Sequence, residues 1–480
     1  MENKKSKVLS SLLWKFLERG GTQGIQFIIQ IVLARILLPS DYGIISLISV
    51  FIAIANVFVQ SGFNTALIQK KKVDEKDLSS VFYLNIFVSG ILYILLFFTA
   101  PFIERFYNVL GISKVLRVLS LTLFLGAINS IQNSVISRKM EFKKLFFSSI
   151  AAIIVSGIIG VILALLGFGI WALVFQQLSN QIITTIVLWF TVKWRPQLVF
   201  SLEKIKVLFS YGWKVLCSTL LDTLYMNLRS LIVGKMYSTE ILAYYNRGDQ
   251  FPQLIITNIN GSIQSVMLPI LAEEQDNKKK VKEMVRRSIV TSSFIIFPMM
   301  IGLSVIAVPL VKVILTEKWL SCVPFLRIFC FSYALWPIHT ANLQAINAIG
   351  RSDIYLKLEI VKKILGMIIL IVSIQFGMYA IAIGLLINSI VSTFINSYPN
   401  RKLLNYSYLE QIRDVMPSFV LSFIMGGVIY LISFLKISSL ITLLLQVIVG
   451  AILYVLMANI FKLECFTYLL NKIKEVVNKK

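Results

Sequence analysis

The sequence predicts an all-α polytopic membrane protein with about fourteen transmembrane helices. Three observations indicate this class. Of the 480 residues, 57% are hydrophobic and only 15% are charged, and the mean hydropathy is +0.81. Soluble domains are about 45–50% apolar and about 25% charged, and a chain of this length has too small an interior to bury the excess. Charge-free runs of about 20 residues, the length that spans a bilayer, also recur along the chain.

Apolar runs account for twelve of the predicted spans. Two long runs, 145–192 and 364–400, each hold two helices, divided at Phe168-Gly169 and Phe376-Gly377, because glycine readily forms a tight turn. The segments 11–37 and 213–234 carry charges and bring the total to fourteen. The eight runs that each hold one span are 42–69, 78–103, 118–137, 250–272, 288–311, 328–350, 415–435 and 437–461.

The basic residues lie mostly on one side of this arrangement. The net charge is +24, and with the N-terminus inside, most Lys and Arg fall in cytoplasmic loops, as the positive-inside rule predicts. Both termini are then cytoplasmic, and the basic face contacts anionic membrane lipids, so the charge does not require nucleic acid as a partner. The four cysteines form no CxxC pair, which argues against a metal site and a disulfide framework.

A repeat of about 200–210 residues divides the chain into two pseudo-symmetric six-helix lobes. Trp14-Lys15 recurs as Trp213-Lys214, and Leu116-Arg117 recurs as Leu326-Arg327. An even number of spans in each copy gives the copies the same orientation. The predicted organisation is an N-lobe at 1–192, an amphipathic cytoplasmic linker at 193–212, a C-lobe at 213–400, a terminal helix pair at 401–461 and a basic cytoplasmic tail at 462–480.

Polar side chains recur at helical spacing on the opening spans of both lobes. On the first span they fall at i, i+4, i+7 and i+11, which is one face of a helix. Because a charge inside hydrocarbon costs at least about 2.5–3.5 kcal/mol, we expect these faces to line a hydrated cavity between the lobes. The candidate substrate-binding residues are Arg19, Gln23, Gln26, Gln30, Asn56, Gln60, Arg229 and Gln264, and the candidate ion-coupling residues are Asp222 and Glu18.

Structural roles compete with these functional ones. Glu18 and Arg19 lie near the end of the first span, where charged side chains also serve as interfacial anchors. His339 is the only histidine, and we expect it to be structural rather than a proton relay. Amides also bond neighbouring membrane helices to each other. The asparagines expected in that role are Asn129, Asn180, Asn342 and Asn388.

Motifs for catalysis are absent from the sequence. It contains no Walker A, HExxH or GxSxG pattern, and its hydrophilic loops are short. The expectation is therefore a transporter and not an enzyme, without a cofactor apart from a coupling ion, H⁺ or Na⁺.

Three segments near the N-terminus resemble a known family. WKFLERG at 14–20, LARILLPSDYG at 33–43 and SGFNTALIQK at 61–70 are similar to Wzx-type polysaccharide flippases of the multidrug/oligosaccharidyl-lipid/polysaccharide (MOP) superfamily, in the branch of lipopolysaccharide and exopolysaccharide repeat-unit exporters. The resemblance implies that the chain moves undecaprenyl-pyrophosphate-linked oligosaccharide across the bacterial cytoplasmic membrane by alternating access. It also implies a polysaccharide polymerase and export machinery as partners.

The residue pattern assigns roles within such a mechanism. The planar fork of arginine bonds two phosphate oxygens at once, so we expect Arg19 and Arg229 to hold the pyrophosphate and the amides to meet the sugars. Asp222 or Glu18 would bind the coupling ion. Two alternatives stay open: a cation-coupled drug antiporter of the MATE type, and a membrane glycan polymerase or ligase.

Overall fold

The computed structural model consists of α-helices joined by short loops, with no β-strand among the described residues. It describes the backbone of residues 2–60, 62–435 and 437–478. Side chains are described for residues 14, 15, 17, 18, 20–60, 62–261, 263, 264, 267–435, 437–471 and 475. The chain divides into two compact units, which are Met1–Ala243 and Tyr244–Lys480.

Nine helices lie within the described residues of the first unit. They are α1 (Glu2–Ile36), α2 (Pro39–Gln60), α3 (Gly62–Gln69), α4 (Glu75–Tyr107), α5 (Ile112–Leu119), α6 (Thr122–Lys139), α7 (Phe142–Leu165), α8 (Ile170–Thr191) and α9 (Leu202–Met236).

The second unit begins within the first turns of the next helix, α10. Two short 3₁₀ helices, Glu317–Cys322 and Ile432–Leu435, precede α12 and follow α16. The α-helices are α10 (Thr239–Glu273), α11 (Lys278–Ile314), α12 (Val323–Ala334), α13 (Trp336–Ala348), α14 (Ser352–Ile374), α15 (Met378–Leu403), α16 (Tyr408–Leu431), α17 (Ser439–Ile460) and α18 (Glu464–Asn478).

Ten helical segments of the described chain are long and apolar enough to cross a membrane. One of them, Pro39–Gln69, includes α2 and α3, and two others are formed by α5 with α6 and by α12 with α13. Four further helices, α1, α9, α10 and α14, are 23 to 35 residues long. They carry charged and amide side chains between their apolar residues. These fourteen long segments are consistent with the predicted number of spans.

The two predicted Phe-Gly breaks are confirmed. Helix α7 ends at Leu165 and α8 begins at Ile170, and α14 ends at Ile374 before α15 begins at Met378. Gly169 and Gly377 have φ values of 54° and 95°, a region that glycine adopts without the steric cost of a Cβ atom. Each long apolar run therefore folds back as two antiparallel helices.

The repeat is visible in one hydrogen bond that occurs in both units. Arg117 on α5 donates from Nε to the backbone carbonyl of Phe97 on α4 at 3.1 Å. Arg327 on α12 donates in the same way to the carbonyl of Ser304 on α11 at 3.2 Å. Since the sequence repeat aligns these two arginines, their shared bond supports the predicted internal duplication.

The structure divides the predicted linker 193–212 into two parts. Residues 192–201 are not helical, and two bonds tie them to the start of α4: Trp194 Nε1 donates to Glu75 at 2.7 Å, and the amide of Ser201 donates to Ser80 Oγ at 2.9 Å. Residues 202–212 are instead the first turns of α9, which Ser201 caps with its side chain. The contacts group the whole of α9 with the first unit, whereas the sequence repeat begins within α9, at Trp213.

One end of the first unit, where α3, α4 and α9 meet, is held by a backbone contact and by charges. Gly62 of α3 and Gly212 of α9 pack so closely that a Cβ atom on Gly62 would lie 2.8 Å from the Gly212 carbonyl oxygen. Lys204 Nζ lies 2.7 Å from Asp74 Oδ2 and 4.0 Å from Asp77 Oδ1. Asp77 is fully buried and also accepts from Lys70 at 2.7 Å. The beginning of α9 is thus fixed to α3 and α4.

The predicted terminal pair, α16 and α17, packs against α11 in the second unit. The Tyr454 hydroxyl donates to the carbonyl of Phe294 at 2.9 Å, and both side chains belong to a buried apolar cluster that includes Met425 and Ile429. Arg286 of α11 bonds Asp414 at 3.0 Å. These contacts fix the two additional helices to the repeat-derived part of the unit.

Candidate functional site

Helix α1 has one packed face and one polar face. Trp14 packs on the ring of Phe146, with centroids 5.3 Å apart, and Gly21 lies on the same face of α1. At 3.6 residues per turn, the predicted polar row is centred about 160° around the helix from these two residues. Gln26 on that row is exposed, and Gln23 and Gln30 are partly exposed. The Arg19 side chain lies outside the described residues, so its predicted role stays a prediction.

Helix α2 contributes a pair of amides to the first unit. Gln60 Nε2 donates to Asn56 Oδ1 at 3.2 Å, and Gln60 is exposed. Gly126 on α6 leaves the space for this pair, since a Cβ atom there would lie 2.8 Å from Gln60 Nε2. Asn56 and Gln60 therefore bond each other, with Gln60 exposed and Asn56 partly exposed, and their predicted role in substrate binding stays a prediction.

Helix α9 carries the predicted ion-coupling aspartate and one of the two predicted phosphate-binding arginines. Asp222 is exposed and Arg229 is partly exposed. Asp222 has an interaction within the chain, whereas Arg229 forms no ion pair in the described part of the molecule. An arginine in a membrane helix is costly unless it faces protein, water or a ligand, so Arg229 is suited to bind an anion.

Glu18 differs from the other predicted residues because it already has a partner of opposite charge. Lys15 Nζ lies 2.9 Å from Glu18 Oε2, and the side chain of Glu18 is 19% exposed. The pair is one turn apart on α1, an ordinary helix ion pair. This arrangement favours the anchoring role for Glu18 over ion coupling.

Gln264 lies in the second unit, on α10, and is exposed. Its repeat partner is Gln60, but the amide pair of α2 does not recur, because no bond between Gln264 and Asn260 is present among the described residues. Asn260 is buried, and its Oδ1 atom has no hydrogen-bond partner.

The expected structural role of the asparagines holds for two of the four. Asn180 on α8 donates to Ser156 Oγ on α7 at 3.2 Å. Asn342 on α13 joins three helices, as described in the Discussion. The side-chain oxygens of Asn129 and Asn388 are buried without a partner.

Sequence reasoning missed a polar cluster near the start of α10. Tyr333 donates to Asp249 Oδ1 at 2.7 Å. Arg247 is 6% exposed, bonds Gln250 at 2.6 Å and lies 4.9 Å from the centre of the Trp319 ring. The predicted span begins at residue 250, directly after the charged residues Arg247 and Asp249, whereas the helix begins at Thr239. Ser238 is the signal that could have located the start of this helix, because its hydroxyl accepts from the amide of Ile241 as an N-cap does.

Residues 32–324, more than half of the chain, match the model of a family described as polysaccharide biosynthesis protein. The chain belongs to this polysaccharide biosynthesis protein family. It is similar to the teichuronic acid biosynthesis protein TuaB of Bacillus subtilis (strain 168), with 25% identity over 79% of each chain. It is also similar to the lipopolysaccharide biosynthesis protein WzxC of Escherichia coli (strain K12), with 22% identity over 88% of this chain and 89% of the relative.

Two solved structures show the same fold. The lipid II flippase MurJ in its inward closed conformation has a TM-score of 0.74 at 16% identity and covers 94% of this chain and 98% of its own. An inward-facing multidrug resistance MATE transporter of the MOP superfamily has a TM-score of 0.60 at 14% identity, covering 82% of this chain and 95% of that one. These two likenesses confirm the predicted all-α fold, and the family match confirms the resemblance to polysaccharide biosynthesis proteins.

Proposed function

We propose that this member of the polysaccharide biosynthesis protein family is a flippase for undecaprenyl-pyrophosphate-linked oligosaccharides. It would move them between the leaflets of a bacterial cytoplasmic membrane by alternating access. The observation that carries the proposal is the row of amides on α1, Gln23, Gln26 and Gln30, which remains accessible on a membrane helix. The names of the relatives and the MurJ fold support the same substrate class.

A sugar headgroup requires this kind of surface. Moving a hydroxyl group out of water without a new hydrogen bond costs roughly 2–7 kcal/mol, and an oligosaccharide has many hydroxyl groups. Glutamine offers both a donor and an acceptor, so the exposed amides of α1 and of the Asn56–Gln60 pair can replace water. The lipid tail needs no such path, because it can stay in the hydrocarbon.

The pyrophosphate requires positive charge. Arg229 carries a guanidinium group without an ion-pair partner among the described residues, and Arg19 is the second arginine of the predicted polar faces. A guanidinium group binds phosphate oxygens in a bidentate manner. We assign the pyrophosphate to these two residues.

The orientation and the coupling belong to the same proposal. We infer that the basic segments 70–76, 138–144 and 278–287, together with both termini, are cytoplasmic, because basic loops stay on that side of a membrane. A polysaccharide polymerase and export machinery would then take the product on the opposite side. We assign the coupling ion, H⁺ or Na⁺, to Asp222, which is exposed on α9.

The test is leaflet transfer in reconstituted liposomes. A fluorescent undecaprenyl-pyrophosphate oligosaccharide, placed in one leaflet, is scored by its accessibility to a membrane-impermeant quencher. The double variant Arg19→Ala/Arg229→Ala should lower the transfer rate at least about 100-fold, since each charged hydrogen-bonding group contributes roughly 1.5–3 kcal/mol. Arg105→Ala, which removes an exposed arginine from the last turn of α4, is the matched control.

Two results would overturn the proposal. Transfer at the wild-type rate in the double variant would remove the assigned phosphate site. The MATE-type alternative would instead be established if an ion gradient drove the transport of an organic cation such as ethidium and the lipid-linked sugar were not transferred.

A further inference from the structure

Arg117, on α5, has a guanidinium group that is held in place but only partly used. Its Nε atom donates to the Phe97 carbonyl at 3.1 Å, and its Cζ atom lies 4.1 Å from the centre of the Phe97 ring. Arginine also carries N–H groups on both Nη atoms, and for these the described residues provide neither a hydrogen-bond acceptor nor an ion-pair partner. The side chain is partly exposed. The carbonyl and the ring therefore fix the guanidinium plane and leave its Nη edge available.

The same arrangement recurs in the second unit. Arg327, on α12, donates from Nε to the Ser304 carbonyl at 3.2 Å and is also partly exposed. Within the described part of the chain, its Nη atoms have no hydrogen bond or ion pair either. The sequence repeat aligns the two arginines, so both copies of the repeat present a cation with an unoccupied edge.

A structural role explains the carbonyl bond in one copy only. In a regular helix the Phe97 carbonyl bonds the N–H group four residues later, but that residue is Pro101, which has none. Arg117 thus bonds a carbonyl that the proline leaves free. The residue four positions after Ser304 is Val308, which has an N–H group. What the two arginines share is therefore the free Nη edge and not a carbonyl freed by proline.

Arg117 lies at the boundary of the apolar part of the first unit. The bonds from Ser113 to Glu104 and from Arg117 to Phe97 show that α5 runs antiparallel to α4. At 1.5 Å per residue, Arg117 is about 7.5 Å from the start of α5, and the apolar run of α4 stops about 6 Å before the end of that helix. The guanidinium group thus lies where hydrocarbon meets the lipid headgroups, at the opposite end of α4 from the basic segment 70–76.

Lys114 adds a second positive charge beside Arg117. It is exposed, one turn nearer the start of α5, and side chains three positions apart are neighbours on a helix surface. Glu104 interacts electrostatically with Lys114, but its carboxylate already accepts from the Ser113 amide at 2.8 Å and from the Ser113 hydroxyl. The corresponding position before Arg327 is Pro324, so the second copy has the arginine without the lysine.

These features fit a phosphate group. The planar edge of a guanidinium bonds two phosphate oxygens at once, and a lysine ammonium contributes a further point charge. A neutral headgroup would leave both charges uncompensated. The headgroup regions of a bilayer, with their phosphates, lie directly outside the hydrocarbon core, which is the level of Arg117. An arginine that serves only as a hydrated membrane anchor is the alternative, and it requires no ligand.

We propose that Arg117 and Lys114 form a binding site for the phosphate group of a lipid in the leaflet opposite the basic segment 70–76. Arg327 forms a second and weaker copy in the second unit. The phosphate accepts two hydrogen bonds from the Nη groups of the arginine. Phospholipids and pyrophosphate-linked lipids both supply such a group, and the experiment separates these sources. The site shares no residue with the proposed substrate path and does not depend on the proposed function.

Lipid binding is measured by native mass spectrometry of the full-length protein. The probes are phosphatidylglycerol, undecaprenyl pyrophosphate and monoglucosyl diacylglycerol, which has no phosphate. Each variant is measured in one solution with the wild type, so that binding to basic segments common to both cancels. Arg117→Ala should weaken binding of the first phosphatidylglycerol about tenfold, because charge-assisted hydrogen bonds are lost. Its binding of the glucolipid should stay unchanged.

Two further variants keep the test decisive where Arg117→Ala does not fold for want of the Phe97 bond. Lys114→Ala leaves that bond intact and should weaken phosphatidylglycerol binding about threefold, since it removes a point charge beside the arginine. Arg327→Ala, in the second unit, should have a smaller effect than Arg117→Ala. The control is Arg105→Ala, which removes an exposed arginine from the same end of α4 and should bind like the wild type.

The three lipids separate the possible outcomes. If Arg117→Ala weakens phosphatidylglycerol binding, the site takes a phospholipid; if it weakens undecaprenyl pyrophosphate binding, the site takes a lipid-linked substrate; either result supports a phosphate site. Equal weakening for the glucolipid would mean that the variant damages the fold and would overturn the inference. Wild-type binding of both phosphate lipids by Arg117→Ala and Lys114→Ala, or the same loss in Arg105→Ala, would overturn it as well.

Discussion

Two sets of amide side chains, one in each unit, have opposite surroundings. In the first unit, Gln26 and Gln60 lie on exposed helix faces. In the second unit, Asn342, Asn400 and Gln411 are fully buried. Amides in the helices of this protein thus either stay exposed or bond neighbouring helices. The difference teaches that the position of an amide in the sequence does not show whether it stays exposed or bonds a neighbouring helix.

The buried amides of the second unit join three helices. Asn342 on α13 donates to Gln411 Oε1 on α16 at 2.8 Å, and its own Oδ1 accepts from Asn400 on α15 at 2.6 Å and from Gln411 at 3.1 Å. Gln411 also reaches the carbonyl of Tyr406 at 3.4 Å. Asn342 is the centre of this network, since each of the other two amides bonds it.

The largest effect on stability is therefore expected for Asn342→Leu. The variant removes the side-chain partner of Asn400 and Gln411, whose buried amides then keep only backbone carbonyl acceptors. The loss is roughly 1–3 kcal/mol for each group, so we expect the free energy of unfolding to fall by about 2–4 kcal/mol. Gln26→Leu, on the exposed face of α1, should change it by less than about 0.5 kcal/mol but should slow oligosaccharide transfer. Unfolding in detergent micelles measures the first quantity and the liposome assay the second. Equal destabilisation by both variants would contradict the contrast between the exposed amides of the first unit and the buried amides of the second.

Much of the fold could be predicted because it depends on composition and spacing. Apolar length located the helices, and the Phe-Gly pairs located two turns, at Gly169 and Gly377. The sequence repeat aligns Arg117 with Arg327, and these two arginines form the same kind of hydrogen bond in their own units. The sequence did not indicate where α9 begins. The lysines of 202–212 are typical of a surface helix, but they also occur in the first turns of a membrane helix, and here Lys204 binds Asp74.

The candidate site was harder to predict, because burial depends on neighbours distant in sequence. The faces of α1 and α9 were found, but the partner of Glu18 makes it a different kind of residue from Gln26. His339 looks isolated in the sequence, since its partners lie 50 to 57 positions later, at Ser389, Thr393 and Asn396. Only packing of α15 against α13 brings these hydroxyls and the amide around the ring.

A smaller effect is expected where α3 meets α9 in the first unit. A Cβ atom on Gly62 would lie 2.8 Å from the Gly212 carbonyl oxygen, and one on Gly212 would lie 3.0 Å from that of Gly62. Overpacking of this kind costs roughly 1–3 kcal/mol, so Gly62→Ala should destabilise the protein by that amount and Gly212→Ala by less. Gly24→Ala on α1, where nothing lies within 4 Å, should be neutral or slightly stabilising. A neutral Gly62→Ala would show that this contact does not hold the first unit.

The smallest effect is expected at the capping box that begins α4. Asp74 Oδ1 accepts from the amide of Asp77 at 2.8 Å, and Asp77 Oδ2 accepts from the amide of Asp74 at 3.1 Å. Asp74→Ala removes an N-cap, at about 1 kcal/mol, whereas Asp74→Asn keeps the cap and removes only the charge. Unfolding of the two variants in detergent micelles at neutral pH therefore separates the two contributions.

The charge of Asp74 gives this end of the first unit a pH dependence. The hydrogen bond from Lys204 and that from the Asp77 amide lower the pKa of Asp74 from 3.8 to about 2. Since the pKa is lower in the folded state, the stabilisation is fully present above about pH 4 and is lost as the pH falls through about 2. The difference in unfolding free energy between wild type and Asp74→Asn should therefore shrink on acidification, and it should stay small because Asp74 is half exposed. A difference that is the same at pH 7 and pH 2 would show that the Lys204 pair contributes nothing to holding α9 against α4.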